Sequence, residues 1–275
     1  MRRVIALILL LSGCAAGRTD EAAAPGELVI GRSITIDSQV LGETRRINIY
    51  TPPGHGPEGP PLPVLYMPDG GMQEDFHHIT GIVQVLTGNG TMRPFLVVGI
   101  ENTERRRDLT GPTSDPEDRK IAPRVGGSAA FRRFLREELM PQIQQRHRIT
   151  GETAIVGESL AGLFVMETFF VEPALFDTYV AIDPSVWWDR GALAREAAAR
   201  LQQPGQPPRT LYVATSDERD MQEGVQAIVG ALGQAAVPGV RWHHEPMPEE
   251  RHSTIFHAAA LRAFCKLFGP AAAAL

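Results

Sequence analysis

One stretch constrains this chain more than any other: Ile155-Val156-Gly157-Glu158-Ser159-Leu160-Ala161-Gly162. Thr153 to Val156 reads as a buried strand, and Leu160 to Phe170 as a strongly apolar helix. A strand that passes so abruptly into a helix makes a tight turn, and its backbone comes close two residues before and two after the apex. Gly157 and Ala161 meet that demand at the two flanks of Ser159, and Gly162 lets the helix lie near the sheet. Alanine at 161, where glycine is more usual, is a mild steric departure. A serine on such a turn has its hydroxyl lifted out of the sheet, at the positive end of a helix that favours an oxyanion.

Around this turn the chain alternates short apolar strands with helical patterns. Strand-like alternation covers Leu28 to Ile30, Ser33 to Val40 and Arg46 to Tyr50. Buried runs follow at Pro63–Met67, Phe95–Ile100, Tyr179–Ile182, Thr210–Ala214 and Val240–His244. Ser128 to Arg148 has helical spacing with Pro141 expected to kink it, and a last helix is expected from about Thr254 to Phe268. Pro52 to Pro63 is a Pro- and Gly-rich surface loop. The expected fold class is therefore α/β: a mostly parallel central sheet with helices on both faces, in one domain over residues 27–275. Hydrophobic residues at 43% provide for a sizeable core, and a net charge of −5 without a basic stripe excludes nucleic acid as an expected partner.

The N-terminus reads as an export signal. Met1-Arg2-Arg3 is positive, Val4 to Leu11 is an unbroken apolar run too short to span a bilayer, and Leu11-Ser12-Gly13-Cys14 resembles the bacterial lipobox. Residues 1–13 are expected to be a lipoprotein signal peptide and Cys14 the lipidation site. Residues 14–26, small and polar, are expected to form a tether that makes the lipid the only link to a membrane. The expectation is an exported protein of the cell envelope. With Cys14 acylated, Cys265 has no disulfide partner and reads as a buried, inert thiol. Nothing in the residues addresses oligomeric state.

A serine hydroxyl does not react unaided and needs a base within hydrogen-bond reach. Of the eight histidines, His252 is best placed, between the last strand and the last helix, where the loop lies at the same sheet edge as the serine turn. The orienting acid is expected after the strand Thr210–Ala214, in chain order serine, acid, histidine. Glu218 is favoured there and Asp217 stands close behind. The oxyanion donors are expected to be the amides of Leu160 and Gly71, the latter in the turn Asp69-Gly70-Gly71-Met72.

Several stretches together resemble a family of α/β hydrolases, the Putative esterase family that includes esterase D, the mycolyltransferases and the siderophore esterases. They are Val64–Gly70, Val97–Thr103, Arg107-Asp108-Leu109-Thr110, Gly157–Phe164 and Asp183-Pro184-Ser185-Val186-Trp187-Trp188-Asp189. The siderophore-esterase-like branch is the nearest in pattern. The resemblance implies the α/β-hydrolase fold, ester or thioester hydrolysis of a small-molecule ester through an acyl-enzyme, no cofactor, and the roles given to Ser159 and His252. Glu158 stands where that family often has histidine, and Asp69 where many members have histidine before glycine. His77, His78, Arg107 and Trp187 are candidate substrate-lining residues, with Arg105-Arg106-Arg107 suited to an anionic substrate. No His-Glu-x-x-His or Cys-x-x-Cys pattern points to a metal. The alternatives are a non-catalytic lipoprotein binding module, which a broken triad would mark, and an acyltransferase on the same fold.

Overall fold

The computed structural model describes residues 28–56 and 58–270. Cys14, the signal segment and the tether all lie outside the described residues. Among the described residues no helix is long and apolar enough to cross a membrane.

Eight strands form one sheet in the order β1-β2-β4-β3-β5-β6-β7-β8. β1 (Arg32–Ser38) and β2 (Glu43–Tyr50) are antiparallel to their neighbours. β3 (Leu62–Pro68), β4 (Leu96–Ile100), β5 (Ile149–Glu158), β6 (Thr178–Ile182), β7 (Arg209–Thr215) and β8 (Val240–Pro246) run parallel. The expected fold class is the observed one. Leu28 to Ile30, which alternate like a strand, precede the first strand rather than forming one.

Helices cover both faces, which is why β3 and β4 are buried along their whole length instead of alternating. On one face Val64, Tyr66, Val98, Ile155, Tyr179 and Val213 pack beneath α3 (Ser128–Phe134), α5 (Leu160–Val171) and α7 (Arg219–Ala235). On the other, Leu65, Met67, Val97, Val156, Val180 and Tyr212 pack beneath α1 (Phe76–Gly88) and α8 (Ile255–Leu267). Two short helices complete the loops, α2 (Arg105–Leu109) and α4 (Met140–Arg146), and α6 (Trp188–Leu201) follows β6. Pro141 does disturb its helix. α3 widens into a π-helical turn over Leu135–Leu139 before α4, which spares the proline ring a clash with the carbonyl four residues back. Cys265 sits half-buried on α8 against the second core, with no disulfide partner among the described residues.

α2 separates the three consecutive arginines. Arg105 leaves toward Asp69, Arg106 binds the Ile121 carbonyl, and Arg107 turns inward to Glu43 and Asp108. Asp108 also holds Arg45, whose side chain is 0% exposed and lies beside the rings of Phe131 and Phe134. This buried network ties α2 to β2 and fixes the loop that starts at the end of β4.

Candidate active site

Every parallel strand ends at the same edge of the sheet, and the polar residues that follow β3, β4, β5, β6, β7 and β8 meet there. Ser159 sits at the end of β5 with φ 59° and ψ −119°, a left-handed backbone that a non-glycine residue adopts only under constraint. The constraint is visible. The Ser159 amide donates to the Ile182 carbonyl at 3.0 Å, and its own carbonyl accepts from the Leu163 and Ser185 amides. A Cβ on Gly157 would stand 2.7 Å from the backbone of Ala161, so the tight approach read from the sequence is real and excludes any larger residue there.

His252, in the loop after β8, brings Nε2 to 3.1 Å from Ser159 Oγ. Its Nδ1 lies 2.7 Å from Asp183 Oδ2. Asp183 directly follows β6, is fully buried, and accepts the amide and hydroxyl of Ser216 at 2.8 Å each. Since an ionised carboxylate only accepts, the imidazole proton belongs on Nδ1, and the lone pair of Nε2 is left for the serine hydroxyl. The structure thus corrects the expected acid: Asp183, not Glu218 or Asp217, lies on the histidine. The reason is topological. β6 neighbours β5 directly, so its end is nearer the serine than the end of β7. Glu218 instead begins α7, its amide donating to Ser216 Oγ, and its charge reaches His252 only at longer range.

A second carboxyl stands at the same nitrogen. Glu158 Oε1 lies 3.3 Å from His252 Nε2, and burial pushes its pKa up to about 7 against the opposing pull of His252 and Arg105. The bond to Asp183 raises the pKa of His252, burial opposes this, and the nearby Glu158 raises it further. In the sequence Glu158 stands out only as a departure from the family pattern. Its place directly before the serine was the available signal.

The amide of Leu160 opens α5 directly after the serine, in the first turn, where helix amides have no acceptor within the helix. Gly71 differs from expectation. Its amide donates to Glu74 Oε2 at 2.6 Å, and a substrate oxyanion would have to displace that carboxylate. Glu74 is itself held by Asn102, which also binds Asp69, and Asp69 forms a two-pronged pair with Arg105. Gly70 is required here for contact, since a Cβ would lie 2.3 Å from Gly99 Cα.

The four substrate-lining candidates fare differently. Arg107 is bound into the Glu43–Asp108 network that raises its pKa, so the structure withdraws it from substrate. Arg105 is the arginine that reaches the site. His78 Nδ1 lies 3.0 Å from Asp75, and His77 lines a surface groove with Met72 and residues 28–33; neither shares a hydrogen bond with the Ser159–His252 pair. Of the tryptophans, Trp188 is core and donates to the Gly111 carbonyl, while Trp187 is half-exposed two residues beyond Ser185, whose Oγ lies 3.4 Å from that of Ser159.

Comparison with known proteins bears on the family and the fold. A family model described as Putative esterase matches residues 38–237. The chain is 28% identical over 246 residues to the ferri-bacillibactin esterase BesA of Bacillus subtilis (strain 168), covering 80% of this chain and 84% of that one. The crystal structure of an IroE-like serine hydrolase from Shewanella oneidensis superposes with a TM-score of 0.78 at 27% identity, over 86% of this chain and 80% of that one. The BES protein from Bacillus cereus shares the fold, with a TM-score of 0.78 at 20% identity over 90% of this chain and 99% of its own.

Proposed function

Because the chain belongs to the Putative esterase family and is a carboxylic ester hydrolase, we propose that it acts as a serine esterase on siderophore-type esters, through an acyl-enzyme. The observation that carries the mechanism is the unbroken contact from Ser159 Oγ through His252 to buried Asp183. Ser159 gives its proton to Nε2 as its oxygen attacks the ester carbonyl. The Leu160 amide and the positive end of α5 hold the oxyanion. Asp183 keeps the other imidazole proton on Nδ1 and stabilises the imidazolium, which Glu158 as a carboxylate also favours. When the tetrahedral intermediate collapses, the imidazolium proton goes to the departing alkoxide. Water then loses a proton to Nε2 and attacks the acyl-serine, and as the acyl–Oγ bond breaks the proton passes from Nε2 to Ser159 Oγ and the acid leaves.

For the substrate, two observations support an anionic siderophore ester. A relative named for such a substrate matches over 80% of this chain. A cleft of about 550 Å³ lined by Glu104–Arg107 and Ala122–Arg124 adjoins the turn at Asp69 through Arg105. Arg106, which among the described residues binds only the Ile121 carbonyl, keeps its charge there for the negative charge of a ferric catecholate. The test is incubation with ferric enterobactin and with its iron-free form, linear products being followed by mass spectrometry for wild type and Ser159→Ala. The proposal expects ring opening by the wild type alone. Turnover of p-nitrophenyl esters without any siderophore cleavage would remove the substrate class and keep the esterase. Absence of both would remove the esterase.

We also propose that the protein is an exported lipoprotein held by Cys14, supported by the pattern Leu11-Ser12-Gly13-Cys14 alone. Metabolic labelling with an alkyne fatty acid, lost in Cys14→Ser, is the expected outcome. Labelling that persists would overturn it.

A further inference from the structure

At the surface, three side chains that the reaction does not use converge on one point. Asp75 precedes α1, its amide bound to the Asp69 carbonyl at 3.0 Å. His78 lies one turn further along α1. His257 lies on α8, which packs on the same sheet face as α1. Asp75 Oδ1 is 3.0 Å from His78 Nδ1 and 3.0 Å from His257 Nε2, and the three atoms all lie within 4.8 Å of one another. The imidazoles meet edge to face, centroids 4.9 Å apart at 79°, so their nitrogens point inward without the rings stacking.

We propose that Asp75, His78 and His257 form a binding site for a divalent transition-metal ion, with zinc as the best-fitting metal. Two imidazole nitrogens and a carboxylate oxygen suit zinc and its neighbours and do not suit magnesium or calcium, which take oxygen ligands. Ligands about 2.0–2.1 Å from a tetrahedral ion stand about 3.3 Å apart, so the observed 3.0 Å pairs need to open by only a few tenths of an ångström. The site is partly exposed, which leaves the fourth position to water. Binding requires both facing nitrogens to be unprotonated. In each neutral imidazole the proton now shared with Asp75 moves to the outward nitrogen, and a protonated imidazole releases one proton to solvent. No sequence motif announces the site because Asp75 and His257 are 182 residues apart. The ion would clamp the turn that carries Asp69–Asp75 to the helix that follows the His252 loop.

The test uses tag-free protein stripped with EDTA and titrated with zinc chloride by calorimetry, with thermal denaturation alongside. One equivalent is expected to bind and to raise the Tm. Asp75→Asn and His257→Ala are each expected to weaken binding by more than about tenfold and to abolish the Tm rise. His77→Ala, one residue outside the cluster, is expected to keep both, and magnesium and calcium are expected to give neither. No zinc binding by the wild type, or binding unchanged in folded His257→Ala, would overturn the proposal.

Discussion

Replacing Asp183 by asparagine exchanges one oxygen for an amide group where three donors converge. Oδ1 accepts the Ser216 amide, while Oδ2 accepts the Ser216 hydroxyl and faces His252 Nδ1. The backbone amide is a fixed donor, so the asparagine oxygen must take the Oδ1 place. The reverse orientation sets two N–H groups against each other in a fully buried site, at a cost of about 1–3 kcal/mol. In the favoured orientation the new NH2 faces His252 Nδ1, which answers with a lone pair and moves its proton to Nε2. A ring protonated at Nε2 cannot take the serine proton. In a Ser-His-Asp protease the same change costs about 10⁴ in kcat, or about 5.5 kcal/mol of transition-state stabilisation. Asp183→Asn is therefore expected to lose kcat by about that factor on a p-nitrophenyl ester, with KM nearly unchanged and the fold intact by circular dichroism. Glu218→Gln removes only a distant charge and is expected to lose less than about fivefold. An Asp183→Asn enzyme within tenfold of wild type, beside a Glu218→Gln enzyme that is nearly dead, would refute the reasoning.

Three further outcomes follow from the same geometry. The base must be neutral, so kcat/KM falls as pH drops through the raised pKa of His252; Glu158→Gln removes one carboxylate that raises it and is expected to move the acid limb of the pH–rate profile to lower pH. An unmoved limb would deny Glu158 its influence on the base. Asp108→Ala leaves the buried Arg45 guanidinium with Glu43 as its one carboxylate, beside the Thr103 hydroxyl and the Glu101 carbonyl, and is expected to cost about 3 kcal/mol in urea denaturation, near the low end for a broken buried pair. A loss under about 1 kcal/mol would show that Glu43 suffices. Glu74→Ala frees the Gly71 amide and is expected to raise kcat/KM about two- to tenfold, the range of one hydrogen bond, whereas an unchanged value would mean that this amide takes no part.

The parts of this molecule that were legible in the sequence are those fixed by local rules. The buried strands show because an apolar run between turn residues has few other uses, and the serine turn shows because Gly157 and Ala161 must be small. α7 was less visible, since its buried contacts come from only three residues, Val225, Ile228 and Leu232, spread through a polar stretch. What the sequence hid is spatial neighbourhood. Chain order pointed to an acid after β7, while strand order placed Asp183, at the end of β6, beside the serine strand. Likewise three consecutive arginines have no sidedness until α2 turns Arg105 toward the site and Arg107 away from it. Glu74 on the Gly71 amide depends on a turn geometry that no spacing reveals.

Activation of Ser159 by His252 is open to fluorophosphonate labelling followed by peptide mass spectrometry. One adduct per chain on Ser159 is predicted, abolished in Ser159→Ala and slowed by orders of magnitude in His252→Ala. A folded wild-type protein that takes up no probe, or carries it on another residue, would contradict the account.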